Sequence, residues 1–326
     1  MICSMQLSRV LLIGFFGIAT TWSALVAAQM VKVIPLGSHD GEFCGRDRAL
    51  IFEDPDGTRI LYDAGRTVAG PKDPRLGKID VVLVSHMHGD HVGNQTIKAR
   101  NAGTCARPDT SVNVLPNTNS VNIALAKRAR IITGSEMPKF FANKLKALGG
   151  DPGQAQLVRF GGSVKAGGVS VTTVPAVHSN GIAGAMIGGE LGEMLDAAGL
   201  TAYAGPPTGY VLTFSNGLVV YLSGDTGVTA EQETVVRRQY GAKLAVMNIG
   251  DTYTTGPKEA AYVVNELVQP NAVIASHANE AATREGKVIA GTRTDTFMRT
   301  TRVPVYLPLS GRTMTFNSQG RCKAGC

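Results

Sequence analysis

Residues 85–91 of this chain read Ser-His-Met-His-Gly-Asp-His, and they hold three of the six histidines in the sequence. Imidazole nitrogens and carboxylate oxygens are both ligands that Zn²⁺ accepts readily. His86 and His88 are two positions apart and point to the same side of an extended chain, whereas Asp90 and His91 follow where the chain turns. The segment is therefore predicted to serve two adjacent metal ions. A hydrogen-bonded polar turn is the alternative interpretation.

The candidate ligands outside this segment also stand where apolar runs end. The nearly continuous apolar run at 79–85 is typical of a buried strand and leads directly to His86. Similar runs lead to the other candidates, at 169–177 before His178, at 218–225 ending in Asp225, and at 272–276 before His277. Ligand sites in layered α/β folds gather at strand ends. These side chains are therefore expected to meet in one site.

Strand-like and helix-like segments alternate in both halves of the chain. The first half opens with predicted strands at 31–37, 49–54 and 58–63, the last two joined by an Asp56-Gly57 turn. Helices are predicted at 118–129 and 135–150, and a further one at 229–240 follows the second set of strands. This alternation predicts an α/β architecture.

The N-terminus has the order of a secretory signal peptide. Arg9 is followed by an apolar run from Val10 to Val26 and then by small residues before Gln29. We expect residues 1–28 to be a cleaved signal and residues 29–326 to be a single mature domain, in the periplasm or outside the cell. An uncleaved membrane anchor is the alternative, but the run is short for a span, so no stable anchor is expected.

Composition bounds the choice of partners. A hydrophobic content of 44% with 17% charged residues is typical of a globular, core-forming protein. The net charge of +7 raises the question of a nucleic-acid partner, but the basic residues are scattered and form no long patch. The pattern favours a solvated basic surface and a small-molecule substrate over nucleic acid. Oligomeric state leaves no mark on the sequence.

The motifs in their chain order resemble those of the metallo-β-lactamase superfamily. The matching segments are LYDAG (61–65), HMHGDH (86–91), PAVHS (175–179), SGDTG (223–227) and IASHA (274–278). Within that superfamily the chain is most similar to the branch of ascorbate-6-phosphate lactonase and related metal-dependent hydrolases. SEMPKFFANKLKALGG (135–150) and IGDTYTTGPKEAAYVVNELVQPNAVIASH (249–277) carry this second likeness. The resemblance implies a four-layer αββα sandwich.

The resemblance also implies a role for each candidate residue. The first metal ion would be held by His86, His88 and His178, and the second by Asp90, His91 and His277. Asp225 would bridge the two ions, and Asp63 would orient a ligand imidazole, with a turn-capping aspartate as the alternative. Two Zn²⁺ ions are expected, with Mn²⁺ or Fe²⁺ as alternatives. A metal-bridging hydroxide would attack the substrate, and Asp90 would orient the water or carry its proton.

The implied function is zinc-dependent hydrolysis of a small ester, lactone or related molecule. A phosphodiesterase or nuclease is one alternative, because residues 88–91 also resemble tRNA 3′-processing enzymes, and a β-lactamase is another. A redox iron protein is disfavoured because its relatives carry Glu at the position of His88. A non-catalytic binding protein is disfavoured because the ligand set is complete.

The cysteines and one insert complete the predictions. Four cysteines follow the signal segment, and their even number in an exported chain favours disulfide bonds. In the fold that the resemblance implies, the preferred pairs are Cys44 with Cys105 and Cys322 with Cys326, and a tail tied back to Cys44 or Cys105 is the alternative. The Gly- and Ala-rich insert at 181–208, a departure from the family pattern, is interpreted as a flap over the site or as a surface excursion.

Overall fold

The computed structural model describes residues 29–326. The predicted signal peptide at 1–28 lies outside the described residues, so its cleavage stays a prediction. Within 29–326, no helix is both long enough and apolar enough to cross a membrane.

The first of two large sheets is built mainly from the N-terminal half of the chain. Its eight strands stand in the spatial order β21 (Cys322–Ala324), β20 (Met314–Phe316), β1 (Val31–Pro35), β2 (Leu50–Glu53), β3 (Arg59–Tyr62), β4 (Val81–Leu83), β7 (Arg130–Thr133) and β8 (Ala155–Leu157). Strands β3, β4, β7 and β8 run parallel, and the pairs from β21 to β3 are antiparallel.

The second large sheet comes from the C-terminal half. Its seven strands stand in the order β19 (Val305–Tyr306), β16 (Ala272–Ser276), β15 (Leu244–Asn248), β14 (Val219–Leu222), β13 (Thr208–Thr213), β10 (Val169–Pro175) and β9 (Ser163–Ala166). The four strands from β14 to β19 are parallel, and the pairs of β9, β10, β13 and β14 are antiparallel.

Helices and short strand pairs fill the connections. The α-helices are α1 (Gly89–Val92), α2 (Asn119–Lys127), α3 (Met137–Ala147), α4 (Gly184–Ile187), α5 (Gly189–Ala197), α6 (Pro257–Tyr262) and α7 (Arg293–Thr300). A 3₁₀ turn spans Pro152–Gln154, and π-helical segments span Gln232–Arg237 and Val263–Val268. The short pairs are β5 (Gln95–Thr96) with β6 (Val112–Asn113), β11 (Gly181–Ala183) with β12 (Thr201–Tyr203), and β17 (Thr283–Arg284) with β18 (Lys287–Val288).

Three hydrophobic clusters define the layers. The central cluster joins the inner faces of the two sheets, with Phe52 and Tyr210 among its buried members. A second cluster packs α2 and α3 against the outer face of the first sheet, and Phe141 is buried in it. A third packs α6, α7 and both π-helical segments against the second sheet around Phe297. The molecule is therefore a four-layer αββα sandwich, as the family resemblance implies.

The insert at 181–208 packs away from the predicted site. It folds into β11, α4, α5 and β12, and its buried side chains Ile182 and Met186 join the cluster beneath α2 and α3. Lys144 of α3 donates a hydrogen bond to the carbonyl of Ile187 at 3.2 Å. Such contacts favour the surface excursion over the flap.

Both expected disulfide bonds are present. Cys44 pairs with Cys105 across a Cα–Cα distance of 4.7 Å, and Cys322 pairs with Cys326 across 6.4 Å. The first bond joins the loop after β1 to the long connection between β5 and β6. The second bond closes a small ring at the end of the chain.

Removing the first disulfide should destabilise the protein more than removing the second. The partners are 61 residues apart in the first bond and 4 in the second, so the first restricts the unfolded chain more. In the entropic model the Cys44→Ala/Cys105→Ala variant loses about 4 kcal/mol of unfolding free energy. The Cys322→Ala/Cys326→Ala variant, a matched control, loses about 2 kcal/mol. Equilibrium urea unfolding measures both, and equal losses would contradict the account.

Candidate metal centre

Four strands of the two sheets deliver the predicted ligands to one edge of the sandwich. His86 follows β4 of the first sheet, and His178, Asp225 and His277 follow β10, β14 and β16 of the second. The chain turns after His86 into the short helix α1, which begins at Gly89 and carries Asp90 and His91.

The structure brings all seven predicted ligands together. Their ligand atoms form three overlapping groups in which every atom lies within 4.8 Å of the others. The groups are His86, His88 and His178, then Asp90, His91 and His277, and finally His86, His91 and Asp225. The first two groups are the sets that the family resemblance implies for two metal ions, and the third links them.

Asp225 stands at the centre of the arrangement. Its Oδ2 lies 3.0 Å from Nε2 of His277 and 3.3 Å from Nε2 of His91. The same oxygen lies 3.8 Å from Nε2 of His178 and 3.9 Å from Nε2 of His86. One carboxylate oxygen therefore faces histidines from both groups, as a bridging ligand must.

Several buried polar atoms of the cluster make no hydrogen bond to any residue of 29–326. They are Nε2 of His86, Nε2 of His91, Oδ1 of Asp225 and both ring nitrogens of His277. An unsatisfied buried polar atom costs about 1–3 kcal/mol, so such a concentration calls for a partner. Imidazole and carboxylate donors in this number fit a metal such as zinc, which the residues present are suited to hold.

Ser85 fixes the tautomer of His86. A serine hydroxyl has one proton, and the Ser85 hydroxyl donates it to Oδ2 of Asp63 at 2.8 Å. Nδ1 of His86 lies 2.9 Å from Oγ of Ser85. Because the Ser85 proton is already used, Nδ1 of His86 must donate to Oγ of Ser85. The lone pair of His86 is consequently on Nε2, which faces Asp225.

Asp63 orients His91 in the same way. Its Oδ2 lies 2.8 Å from Nδ1 of His91, and its Oδ1 accepts the backbone N–H of Ser85 at 2.9 Å. Asp63 is buried and adopts a positive φ of 41°, a conformation that costs free energy and is common at functional sites. The family resemblance implies this orienting role for Asp63, whereas Ser85 is marked in the sequence only by its place directly before His86.

The carboxylates set the charge state of the cluster. Burial by itself lowers the pKa of His91, but Asp225, Asp90 and Asp63 outweigh it and raise that pKa well above its usual value. Burial, with His91 next in effect, holds the pKa of His86 well below its usual value. Burial raises the pKa of Asp225, but His91 and His277 outweigh it and hold it well below its usual range. The carboxylates of the cluster therefore stay ionised at neutral pH.

Arg48 holds Asp90 and is itself held by Asn279, and no sequence motif marks either residue. Nε of Arg48 donates to Oδ2 of Asp90 at 3.3 Å, and Nη2 of Arg48 donates to Oδ1 of Asn279 at 2.6 Å. The Arg48 side chain is only 2% exposed. Asn279 lies two residues after His277, in the segment Ala278-Asn279-Glu280.

The cluster forms the floor of a cavity of about 670 Å³. His88, Asp90, His178, Asp225 and His277 all line it. Ser179 lines it too, but none of the described residues at 181–208 does, which is a second argument against the flap. The volume suits a small molecule rather than a folded macromolecule.

Comparison with known proteins agrees with this geometry. Residues 58–278 match a family model described as the β-lactamase superfamily domain. The chain is 30% identical over 240 residues to a UPF0173 metal-dependent hydrolase of Anaeromyxobacter sp. (strain K), which is 70% of this chain and 71% of that protein. It is 29% identical over 226 residues to a second such hydrolase, from Koribacter versatilis, covering 68% of this chain and 77% of that one.

A solved structure shares the fold. Igni18, a metallo hydrolase from Ignicoccus hospitalis, superposes with a TM-score of 0.57 at 21% sequence identity. The match covers 88% of this chain and 99% of Igni18. At this level of identity the likeness shows the fold alone.

Replacing Asp63 by Ala should weaken zinc binding. The variant removes the acceptor that orients His91, and losing such a partner typically costs about 10–100-fold in metal affinity. Competition against a chromophoric chelator measures the change. Asp54→Ala is the matched control, because Asp54 is equally buried but accepts hydrogen bonds from Ser215 and Asp56 instead. Equal zinc affinity in the Asp63 variant and the wild type would contradict the orienting role.

Proposed function

Because this chain belongs to the β-lactamase superfamily and is a metal-dependent hydrolase, we propose that it uses two zinc ions to hydrolyse a small ester, lactone or related molecule. The observation that carries the proposal is the set of buried histidine and aspartate atoms without partners within 29–326. Two of the residues that supply them, Asp225 and His277, line a cavity of small-molecule size. The assignment of lactonase-like chemistry rests on the resemblance of the sequence motifs to the lactonase branch.

Seven side chains would hold the metals. His86, His88 and His178 would bind one ion, Asp90, His91 and His277 would bind the other, and Asp225 would bridge them. Ser85 and Asp63 contact Nδ1 of His86 and of His91, so Nε2 is the nitrogen of each ring that would bind a metal, which supports this assignment. Zinc is our choice because its ligand preferences match an imidazole-rich site with carboxylates. Mn²⁺ and Fe²⁺ are the alternatives.

When bound, two such ions lower the pKa of a shared water and polarise the attacked group. The protein's own contribution to the reaction centres on Asp90. Burial raises its pKa, but His91, His277 and Arg48 outweigh burial and hold it well below the usual range, so Asp90 stays ionised. An ionised carboxylate can accept a hydrogen bond from the attacking water and orient it. Asp90 is the more accessible acid of the pair, since its side chain is 22% exposed and that of Asp225 is 4% exposed.

The contacts of Asp90 indicate which of its oxygens serves the water. Nε2 of His277 lies 3.3 Å from Oδ2, and the closest contact of Arg48 also ends on Oδ2. Because Oδ2 accepts a hydrogen bond from Arg48 and faces the ring of His277, we assign the water and its proton to Oδ1. Hydrolysis places the elements of water across the acyl bond, so the proton leaves Asp90 with the alcohol or reopened hydroxyl group.

We propose an oxidising compartment, the periplasm or the cell exterior, as the place of action. The two disulfide bonds support this placement, because such bonds persist in oxidising compartments and are rare in the cytosol of most organisms. The signal-like order of residues 1–28 supports it independently.

A substrate screen tests the proposal. The zinc-loaded protein should hydrolyse at least one member of a panel of lactones and aryl esters, and a chelator should abolish the activity. The Asp90→Asn variant, which keeps the shape of the side chain but not its charge, should lose at least ~10²-fold in kcat, the range of general acid–base contributions. Rates are measured on the best substrate of the panel, and metal content is measured on every sample.

The control is Glu190→Gln on α5, which removes an acid that does not line the cavity and should leave the rate unchanged. Turnover of only phosphodiesters or only β-lactams would replace the proposed substrate class with one of the two alternatives. Full activity in Asp90→Asn with its metal retained would disprove the role of Asp90.

A further inference from the structure

Three arginines line the wall of the cavity above the metal cluster. Arg46, Arg66 and Arg107 face the same space as Asp90 and His178, and we call this group the arginine wall. Within residues 29–326 none of the three forms an ion pair, unlike Arg48, which is paired with Asp90. The wall therefore presents positive charge to the cavity without a paired carboxylate among the described residues.

A disulfide bond holds two members of the wall together. Arg46 comes two residues after Cys44, Arg107 comes two residues after Cys105, and these cysteines are bonded. The backbone N–H of Gly45 also donates to the carbonyl of Cys105 at 3.0 Å. A Cβ at Gly45 would lie 3.1 Å from the carbonyl oxygen of Ala106, so a side chain there would push the two loops apart by a few tenths of an ångström. The covalent bond thus keeps two guanidinium groups on the same wall.

Arg66 is partly buried in the wall of the cavity and is not a fully solvated surface residue. It follows the Asp63–Gly65 turn, its side chain is half-buried, and its Nε donates to Oδ1 of Asn94 at 2.9 Å. That bond leaves the two Nη groups of Arg66 without a hydrogen-bond acceptor among the described residues. Burial lowers the pKa of Arg66, and the nearby charges of Arg46 and Arg48 lower it further, while Asp90 opposes them. Arg46, Arg48 and Arg66 therefore lie close together, although burial and the repulsion among them disfavour the charged form of Arg66.

We propose that the arginine wall binds an anionic group of the substrate, a carboxylate or a phosphate, while the bond to be cleaved lies at the metal cluster. Guanidinium groups present paired donors that match both anions, and the resulting charge-assisted hydrogen bonds are stronger than neutral ones. The inference rests on the proposed function and specifies its substrate class. The preferred substrate is a small ester or lactone that carries a negative charge away from the reacting carbonyl.

Binding of a charged and a neutral probe tests the wall without requiring turnover. Benzenesulfonate is an anion and a weak zinc ligand, and methyl phenyl sulfone is its neutral counterpart. Ligand-observed NMR titration of the zinc-loaded protein should show the anion binding at least ~10-fold more tightly than the sulfone, since ~1.4 kcal/mol of differential interaction suffices for that ratio. The preference should weaken at high salt, because part of it comes from screened charges.

The variants remove the charge of the wall. Arg46→Gln/Arg107→Gln changes two exposed side chains, and Arg66→Gln changes the half-buried one. Each variant should lose most of the preference for the anion while keeping its metal content and thermal midpoint. The control is Arg238→Gln, which loses the same single charge as Arg66→Gln at an exposed arginine that pairs with Glu233 and does not line the cavity. No preference in the wild type, or an unchanged preference in both wall variants, would overturn the proposal.

A matched pair of esters separates this proposal from the proposed function. The wild type should hydrolyse 4-acetoxybenzoate with at least ~10-fold higher kcat/KM than 4-acetoxybenzamide, and the wall variants should remove that difference mainly through KM. Hydrolysis of both esters at equal rates would confirm an esterase and contradict the wall. If neither ester is cleaved but the sulfonate preference depends on the wall, the wall stands and the ester class of the proposed function fails.

Discussion

The structure depends on satisfying a set of buried ligand atoms that the protein itself leaves without partners. Nε2 of His86, Nε2 of His91 and Oδ1 of Asp225 are buried and make no hydrogen bond within residues 29–326. Around them the polar groups are well satisfied, since Asp63 bonds both Ser85 and His91. The two sheets supply these atoms from opposite halves of the chain. A bound metal pair would repay the desolvation of the ligands and tie the halves together.

The parts of the site that the sequence predicts are those that local signals specify. Each ligand follows an apolar run or lies in the dense segment at 85–91, so residue type and position sufficed to identify it. Arg48 and Asn279 gave no such signal, because they meet only in the folded chain and are 231 residues apart. Likewise, β20 pairs with β1 from the far end of the chain, and no local pattern records this pairing.

Composition was least informative about the insert at 181–208. Its Gly- and Ala-rich sequence indicated an irregular excursion but not the surface on which it packs. The surface on which it packs is decided by a few apolar contacts, of Ile182 and Met186 with the cluster beneath α2 and α3.

The disulfide between Cys44 and Cys105 was predictable in the fold that the motifs implied, but its structural consequence was not. Its consequence is the placement of Arg46 and Arg107 on the wall that faces the metal cluster.

Anomalous X-ray diffraction from crystals of the zinc-loaded protein, recorded at the zinc absorption edge, tests the central claim most directly. The account predicts two peaks roughly 3.5–4 Å apart, a spacing typical of two-metal hydrolytic sites. One should lie among His86, His88 and His178, the other among Asp90, His91 and His277, and Asp225 should lie between them. A single peak under zinc excess, or peaks outside these two groups, would contradict the account.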